Sequence, residues 1–552
     1  MLLSKTSELT INPWILMLAY CALVGPFALD FHMHYPDEIY YRDAAVKMLQ
    51  NGDYLTTYLG SGELRFKKPI LTYWAVLAGF KLFGVNEFGS RIFFLLSGAA
   101  TVGLTFILAK TLFRNVKIAG LSALIMAANP VLILSSGRSI PDVLLVLTMT
   151  ISAVGFAGLL QDGEKAHQKY IWLLYLGLAL AFEVKGLPAV ALGGLGIGVL
   201  LFNPWKRVSW KKLLHIPALG LSLVIALFWF VAMWKIHGPT YLDSFLEDQV
   251  GIRVASRVLL ILQNGLLATF ILGLIFVPWI FLMGKDFKST IQKAWKENPQ
   301  FFVFSIVWAI AIVGMGALTS RFYERYLLPV APVLAVGIAW MLDRGGIFDR
   351  EKSVKIAVMI FLAVVLILTC FSLWINLGEK GMIWLKVQIF IGFLFLIYSG
   401  LIWRRFPQKL PKVIAYSFLM IFFLLSSITY HISLPHQGQQ AKEVINQEEI
   451  DLPIGFYGNL HVGSKIRMSL GPRFHLVDLP RENWKEESEN FDLLILEDRF
   501  FAEIDTTKFK LNLVSKNWES KAIPQLLLAY HSEEFDRLLE VNSKKYYLLH
   551  KK

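Results

Sequence analysis

Charge is scarce in this chain. Asp, Glu, Lys and Arg make up 17% of its 552 residues, where an ordinary soluble protein carries about 25%. A water-soluble globule of this size needs a more charged surface. A disordered chain needs fewer apolar residues than the 55% found here. Cysteine is nearly absent. Cys21 and Cys370 both fall in apolar runs, so neither a disulfide framework nor a cysteine metal cluster is expected. Tandem repeats and low-complexity segments are also missing. The mean hydropathy is +0.54, which leaves a polytopic α-helical membrane protein. Acidic charge is unevenly short. The net charge is +13, and residues 436–552 hold 16 basic and 19 acidic side chains, so the whole basic excess lies before them. Those Lys and Arg sit in short loops between apolar runs. That placement fits topology control and anionic lipid, and nucleic acid is not expected as a partner.

Apolar runs long enough for a bilayer, about 17–25 residues each, fall at 12–30, 90–112, 117–136, 142–160, 169–183, 187–203, 213–235, 265–284, 300–319, 327–342, 354–374, 384–402 and 413–433. These runs predict about 13 transmembrane helices. The first has no small-residue cleavage site and is read as an uncleaved helix. Alternate loops are rich in Lys and Arg, for example Lys206, Arg207, Lys211 and Lys212, or Arg404, Arg405, Lys409 and Lys412. The positive-inside rule puts these loops and the N-terminus in the cytoplasm, and an odd span count puts the C-terminus outside.

The expected domains are a transmembrane part, 1–435, with external loops 31–89 and 236–264, and a small external α/β domain, 436–552, large enough for its own core. Stretches 38–50 and 69–84 read as short helices lying in the membrane interface. In the C-terminal part AKEVINQEE reads as helix, and IGFYG, DLLILED and KYYLLH as strands.

Charge near a membrane is costly and seldom without use. Here acids and bases collect at the outer ends of the spans: Asp30, His32, His34, Asp37, Glu38 and Arg42; Arg65, Lys67 and Lys68; Arg138 and Asp142; Glu183 and Lys185; Asp248 and Arg253; Arg321, Glu324, Arg325 and Tyr326. Five connections contribute, as a site assembled at the outer face would require.

PDEIYY (36–41), KKPILTYW (67–74), RSIPDVLLVL (138–147), VKGLP (184–188) and RYLLPVAP (325–332) stand in an order that resembles the bacterial protein-mannosyltransferase-like glycosyltransferases. That GT-C group includes the lipid A aminoarabinose transferases. The likeness runs from about residue 12 to about residue 345. It implies a GT-C membrane domain that moves a sugar from undecaprenyl (polyprenyl) phosphate to an envelope acceptor such as lipid A. It implies Asp37 as the catalytic acid of the first loop, Asp142 as a second acid, and Lys68, Arg253, Arg325 and Tyr326 toward the donor phosphate. Glu38, Tyr41 and Lys185 support them. Lys67 replaces an acid that binds metal in some members, and Ile70 replaces a second proline. No cofactor is therefore expected, and a divalent metal is not indicated. Tyr40 stands where aminoarabinose transferases tend to carry arginine. A monomer in the bacterial inner membrane is expected.

Transfer from a lipid phosphate needs a base for the acceptor hydroxyl and cations for the departing phosphate. A single displacement inverts the anomeric centre. Each residue also has a plainer reading: Asp37 as a helix cap, Glu38 as first-turn charge or partner of Arg42, Asp142 as a dipole partner behind Pro141, Lys68 at lipid headgroups, Arg325 and Tyr326 as interfacial anchors. His32 and His34 read as solvated loop residues. Two other functions share the composition, a flippase of lipid-linked sugars and a protein O-mannosyltransferase. A transporter would place polar groups near the midplane, whereas these spans are apolar in their centres.

Overall fold

The computed structural model describes residues 11–29, 36–246, 258–283, 287–345, 351–377, 383–432, 437–447, 452–518 and 522–552. Asp30, His32, His34, Asp248 and Arg253 lie outside the described residues. The chain opens with α1 (Pro13–Ala28), α2 (Glu38–Asn51), α3 (Leu71–Phe83), α4 (Glu87–Phe113), α5 (Val116–Ala127), α6 (Pro130–Ser136), α7 (Pro141–Asp162), α8 (Lys169–Lys185) and α9 (Leu187–Leu201). Then come a one-turn α10 (Trp210–Leu213), α11 (Ile216–His237), α12 (Pro239–Leu246), α13 (Val258–Leu274), a one-turn α14 (Trp279–Leu282), α15 (Phe287–Glu297) and α16 (Pro299–Ala317). A 3-10 turn, Glu324–Val330, leads into α17 (Ala331–Arg344), followed by α18 (Glu351–Ile375), α19 (Ile383–Arg405) and α20 (Leu410–Ile432).

Asparagine and proline set many of the boundaries. Asn12, Asn129 and Asn298 each cap a helix whose first residue is proline. The asparagine oxygen takes orphan N–H groups, and proline has no N–H to leave unpaired. Asn129 accepts from the backbone N–H of Val131 and of Leu132, both at 3.0 Å. The Asn129–Pro130 pair therefore ends one helix and starts another, and α5 and α6 meet at 61°.

Such breaks bear on helix length. Among the described residues, eight single helices are long and apolar enough to cross a membrane, or nine if α5 and α6 form one bent span. Each of the thirteen expected runs carries helix, and α1, α8, α9 and α13 fall short of 18 residues. α9 has 15 residues, about 22 Å of rise against a hydrocarbon core of about 30 Å, because Gly186 and Pro188 bound it on one side and Pro204 follows on the other. α13 starts earlier than expected and stops at Leu274, ahead of Pro278. α11 and α18 bury only 22% and 28% of their most apolar stretch. Their outer faces are apolar surface that water would not support, as expected of helices facing lipid.

α2 departs from the expected interfacial helix. Tyr41 to Met48 are all buried, because α3 covers one side and the C-terminal domain the other. That domain begins with α21 (Gln437–Gln447) and continues through β1 (Ile454–Tyr457), α22 (Leu460–Leu470), β2 (Leu476–Asp478), α23 (Trp484–Ser488), β3 (Leu493–Glu497), β4 (Phe509–Trp518), α24 (Ile523–Leu528), α25 (Glu534–Val541) and β5 (Ser543–Lys551). The helix in AKEVINQEE and the strands in IGFYG, DLLILED and KYYLLH are present, and β2 and β4 are added. The sheet order is β2-β1-β3-β5-β4, with β1 parallel to β2 and β3, and β5 antiparallel to β3 and β4. Ile445, Ile454, Phe456 and Ile466 form the core under α21 and α22, and Trp484, Leu496 and Leu549 fill the opposite face.

Candidate active site

Four connections converge at one end of the helices. Asp37 stands at the N-cap position of α2, yet its side chain makes no capping hydrogen bond. It turns instead to Arg325, whose Nη2 donates to Asp37 Oδ2 at 2.9 Å. Arg325 comes from the 3-10 turn ahead of α17. Ile140 is extended before Pro141, the first residue of α7, as a residue preceding proline should be. Asp142 follows. Its Oδ1 accepts from Lys185 Nζ at 2.7 Å, and its Oδ2 lies 3.2 Å from Arg325 Nε. Lys185 ends α8, and Gly186 behind it has φ +72°, which lets α9 start at once. Lys185 Nζ also lies 4.5 Å from the Tyr326 ring centre.

These groups line a cavity of about 400 Å³ together with Tyr40, Tyr41, Arg65, Phe66, Lys67 and Lys68. Of the nine residues picked out from sequence, Asp37, Asp142, Lys68, Lys185, Arg325, Tyr326 and Tyr41 line it. Glu38 lies beside it, and Arg253 is outside the described residues. The lining carries five cations and two carboxylates, a surplus of positive charge suited to a phosphate. Asp37 keeps 45% of its side chain exposed, while Asp142 keeps 4%. The first can meet a reactant. The second is enclosed, with each oxygen facing a cation.

Lys68 is buried, and its Nζ donates to the Lys67 carbonyl at 3.0 Å. Arg65 reaches the cavity from a short hairpin, 57–65, closed by the Arg65 N–H to Thr57 carbonyl bond at 2.9 Å. Its guanidinium lies 4.3 Å from the Tyr40 ring centre and donates to the Tyr73 hydroxyl. Tyr41 packs on Tyr73 at 4.9 Å between ring centres, and burial pushes its hydroxyl well above the ordinary tyrosine range. The second long loop joins in where it is described. Tyr241 packs edge-on to Phe66 at 5.2 Å, and His237 pairs with Thr56 at 3.2 Å. Glu183 is buried outside the cavity and accepts from the Trp229 N–H at 3.2 Å.

Glu38 belongs to a separate network. Its Oε1 accepts from the Ser139 N–H at 2.8 Å and hydroxyl at 2.9 Å, and its two oxygens take Arg91 Nε and Nη2, each at 2.9 Å. Arg42 Nη2 lies 3.0 Å from Glu38 and 2.8 Å from Glu87. Burial pushes the Glu38 carboxyl up, but Arg42, Arg91 and the Ser139 N–H outweigh it and hold the group far below the usual carboxylate range. Glu87 and Arg91 were missed from sequence. The available signal was a charge pair four residues apart at the head of an otherwise apolar span. Among the described residues no three His, Cys, Asp or Glu side chains gather as a metal site.

Fold and pocket together define a multi-pass membrane protein with a charged site where its helices meet a small α/β domain. Residues 20–242 match the family described as dolichyl-phosphate-mannose-protein mannosyltransferase. An uncharacterized protein of Aquifex aeolicus is 28% identical over 71% of this chain and 73% of its own length. The undecaprenyl phosphate-alpha-4-amino-4-deoxy-L-arabinose arabinosyl transferase of Pseudomonas aeruginosa is 28% identical over 332 residues, 58% of each chain. The alignment thus spans less than two thirds of that transferase. The crystal structure of ArnT from Cupriavidus metallidurans bound to undecaprenyl phosphate superposes with a TM-score of 0.68, covering 91% of this chain and 96% of that one at 18% identity. The fold is the GT-C fold, and the resemblance read from the motifs is borne out.

Proposed function

We propose that the chain is an integral-membrane, inverting glycosyltransferase that takes a sugar from undecaprenyl phosphate and places it on an envelope acceptor such as lipid A or a related glycolipid. The observation that carries the reading is Asp37. It occupies a cap position, leaves the cap unmade, and points a half-exposed carboxylate into a cavity with surplus positive charge. The Pseudomonas relative and the GT-C fold support it.

Asp37 accepts the proton of an acceptor hydroxyl as that oxygen attacks the anomeric carbon, a role worth about 10²–10⁴-fold in rate. Arg325 aims the carboxylate. Lys68 and Arg65 stabilise the phosphate oxygens as the bond to the sugar breaks, in a pocket where little water weakens the field. Asp142 positions Lys185 and Arg325. One displacement gives inversion.

The site faces the periplasm in this reading, with the N-terminus in the cytoplasm of a bacterial inner membrane. The charge pattern supports that orientation. Basic loops meet at the opposite end, where Arg114 pairs with Asp162 at 2.8 Å, Lys117 with Asp343 at 2.9 Å and Arg344 with Glu297 at 3.0 Å. The test is mass spectrometry of envelope lipids from a strain lacking the chain. A lost species, heavier than its remaining precursor by one sugar, is expected. An unchanged lipid profile, with no transfer from any undecaprenyl-phosphate sugar by the purified protein, would refute the proposal.

A further inference from the structure

The C-terminal domain reaches the pocket wall chiefly around one side chain. Arg467 of α22 has no exposed surface. Its Nη1 lies 2.7 Å from Asp43 Oδ2 on α2, its Nη2 donates to Asp478 Oδ1 at 2.6 Å, and its Nε donates to the Leu476 carbonyl at 3.1 Å. Ser464, one turn earlier on α22, donates its hydroxyl to Asp43 Oδ1 at 2.8 Å. Asp43 therefore spends both oxygens on the C-terminal domain, although it belongs to the helix that begins beside Asp37.

The same pair grips the other wall. The tip of the 57–65 hairpin is Gly60, whose carbonyl accepts from the Asp478 N–H at 3.4 Å. A Cβ at Gly60 would collide with the Asp478 carboxylate and the Arg467 guanidinium, so only glycine permits this approach. The hairpin ends in Arg65, a lining residue of the cavity. Arg467 and Asp478 thus hold the two segments that deliver Asp37 and Arg65, while the ion network of Glu38 holds α2 from below.

We propose that Arg467 is a positioning residue. Acting through Asp43 and, with Asp478, on Gly60, it fixes α2 and the hairpin so that Asp37 and Arg65 stand at their working places. The proposal rests on the function given above. It assigns the C-terminal domain the task of setting the geometry of the reacting carboxylate.

The experiment uses the full-length protein in nanodiscs with an undecaprenyl-phosphate sugar as donor, and compares Asp43→Asn, Arg467→Met and Arg467→Lys. Asp43 lies outside the C-terminal domain, so Asp43→Asn removes the charge pair with Arg467 without touching that domain's core. In Asp43→Asn and Arg467→Met, kcat should fall about 10- to 100-fold, as a displaced catalytic group predicts. Donor KM should change less than about threefold, since the interaction is not one of binding. Amide exchange over residues 38–51 should speed up about tenfold or more while β3 stays protected. Arg467→Lys should recover part of kcat. Three results would overturn the proposal: unchanged kcat in Asp43→Asn, a loss confined to KM, or a melted sheet in Arg467→Met with a wild-type-like Asp43→Asn. Absence of transfer by the wild type would refute the function instead. The exchange arm then decides alone, and unchanged exchange over 38–51 in Asp43→Asn overturns the positioning role.

Discussion

Asp37 and Glu38 are neighbours in sequence and opposites in surroundings. Glu38 is closed in, with both oxygens committed to Arg91 and one shared with Ser139 and Arg42. Among the described residues Asp37 has one cation partner, and it has an open side facing the cavity. The network around Glu38 balances two carboxylates with two guanidinium groups. The pocket around Asp37 carries an unbalanced positive charge. A closed, neutral cluster fixes structure, and an open, unbalanced one invites an anion. The two adjacent acids therefore divide the work between holding the loop and using it.

The largest expected effect comes from breaking the closed cluster. Arg91→Met leaves Glu38 and Glu87 buried with Arg42 alone, and should cost about 3–5 kcal/mol of stability, read as a large fall in thermal stability in detergent. If the variant melts like the wild type, the cluster is not the support described here. Next is a cation at the edge of that neutral cluster. Burial lowers the Lys465 pKa to about 8, with Glu87 opposing and Arg42 and Arg91 adding to the fall. Between pH 8 and 10.5 the unfolded chain keeps this proton and the folded chain does not, so stability should rise with pH across that window, by no more than about 3 kcal/mol. Below pH 8 the term is flat. Lys465→Met should abolish the rise, and a rise that persists would place it in another group.

The open cluster should respond differently. Lys68→Ala is expected to weaken binding of undecaprenyl phosphate about tenfold, the scale of one lost charged hydrogen bond, with little change in melting temperature. Unchanged affinity would return Lys68 to a headgroup anchor. The smallest effect belongs to the opposite end of the helices. The Arg114–Asp162 pair leaves Arg114 70% exposed, so Arg114→Ala should shift stability by less than about 1 kcal/mol. A larger loss there would erase the contrast between buried and exposed charge.

Much of this was legible in the chain because membrane charge is rare enough to be informative. The polar ends of the spans pointed to Asp37, Lys68, Asp142, Lys185, Arg325 and Tyr326, and the structure brings these six into one cavity. The bend within 117–136 was not read, since an apolar run does not show that Asn129–Pro130 turns it by 61°. Arg467 and Asp43 were not readable as partners. They lie 424 positions apart, and a lone arginine in a mixed helix carries no signal of what it will meet. The burial of α2 was missed for the same reason. That helix was read as lying in the membrane interface, and it is covered by a domain encoded four hundred residues later.

The central claim is that the Asp37 carboxylate acts on a donor held by the cations around it. The direct measurement is undecaprenyl-phosphate binding and sugar transfer by one preparation of Asp37→Asn beside the wild type. The account predicts binding within about threefold of the wild type and transfer reduced at least about 100-fold. Transfer at the wild-type rate, from a variant that binds equally well, would contradict it.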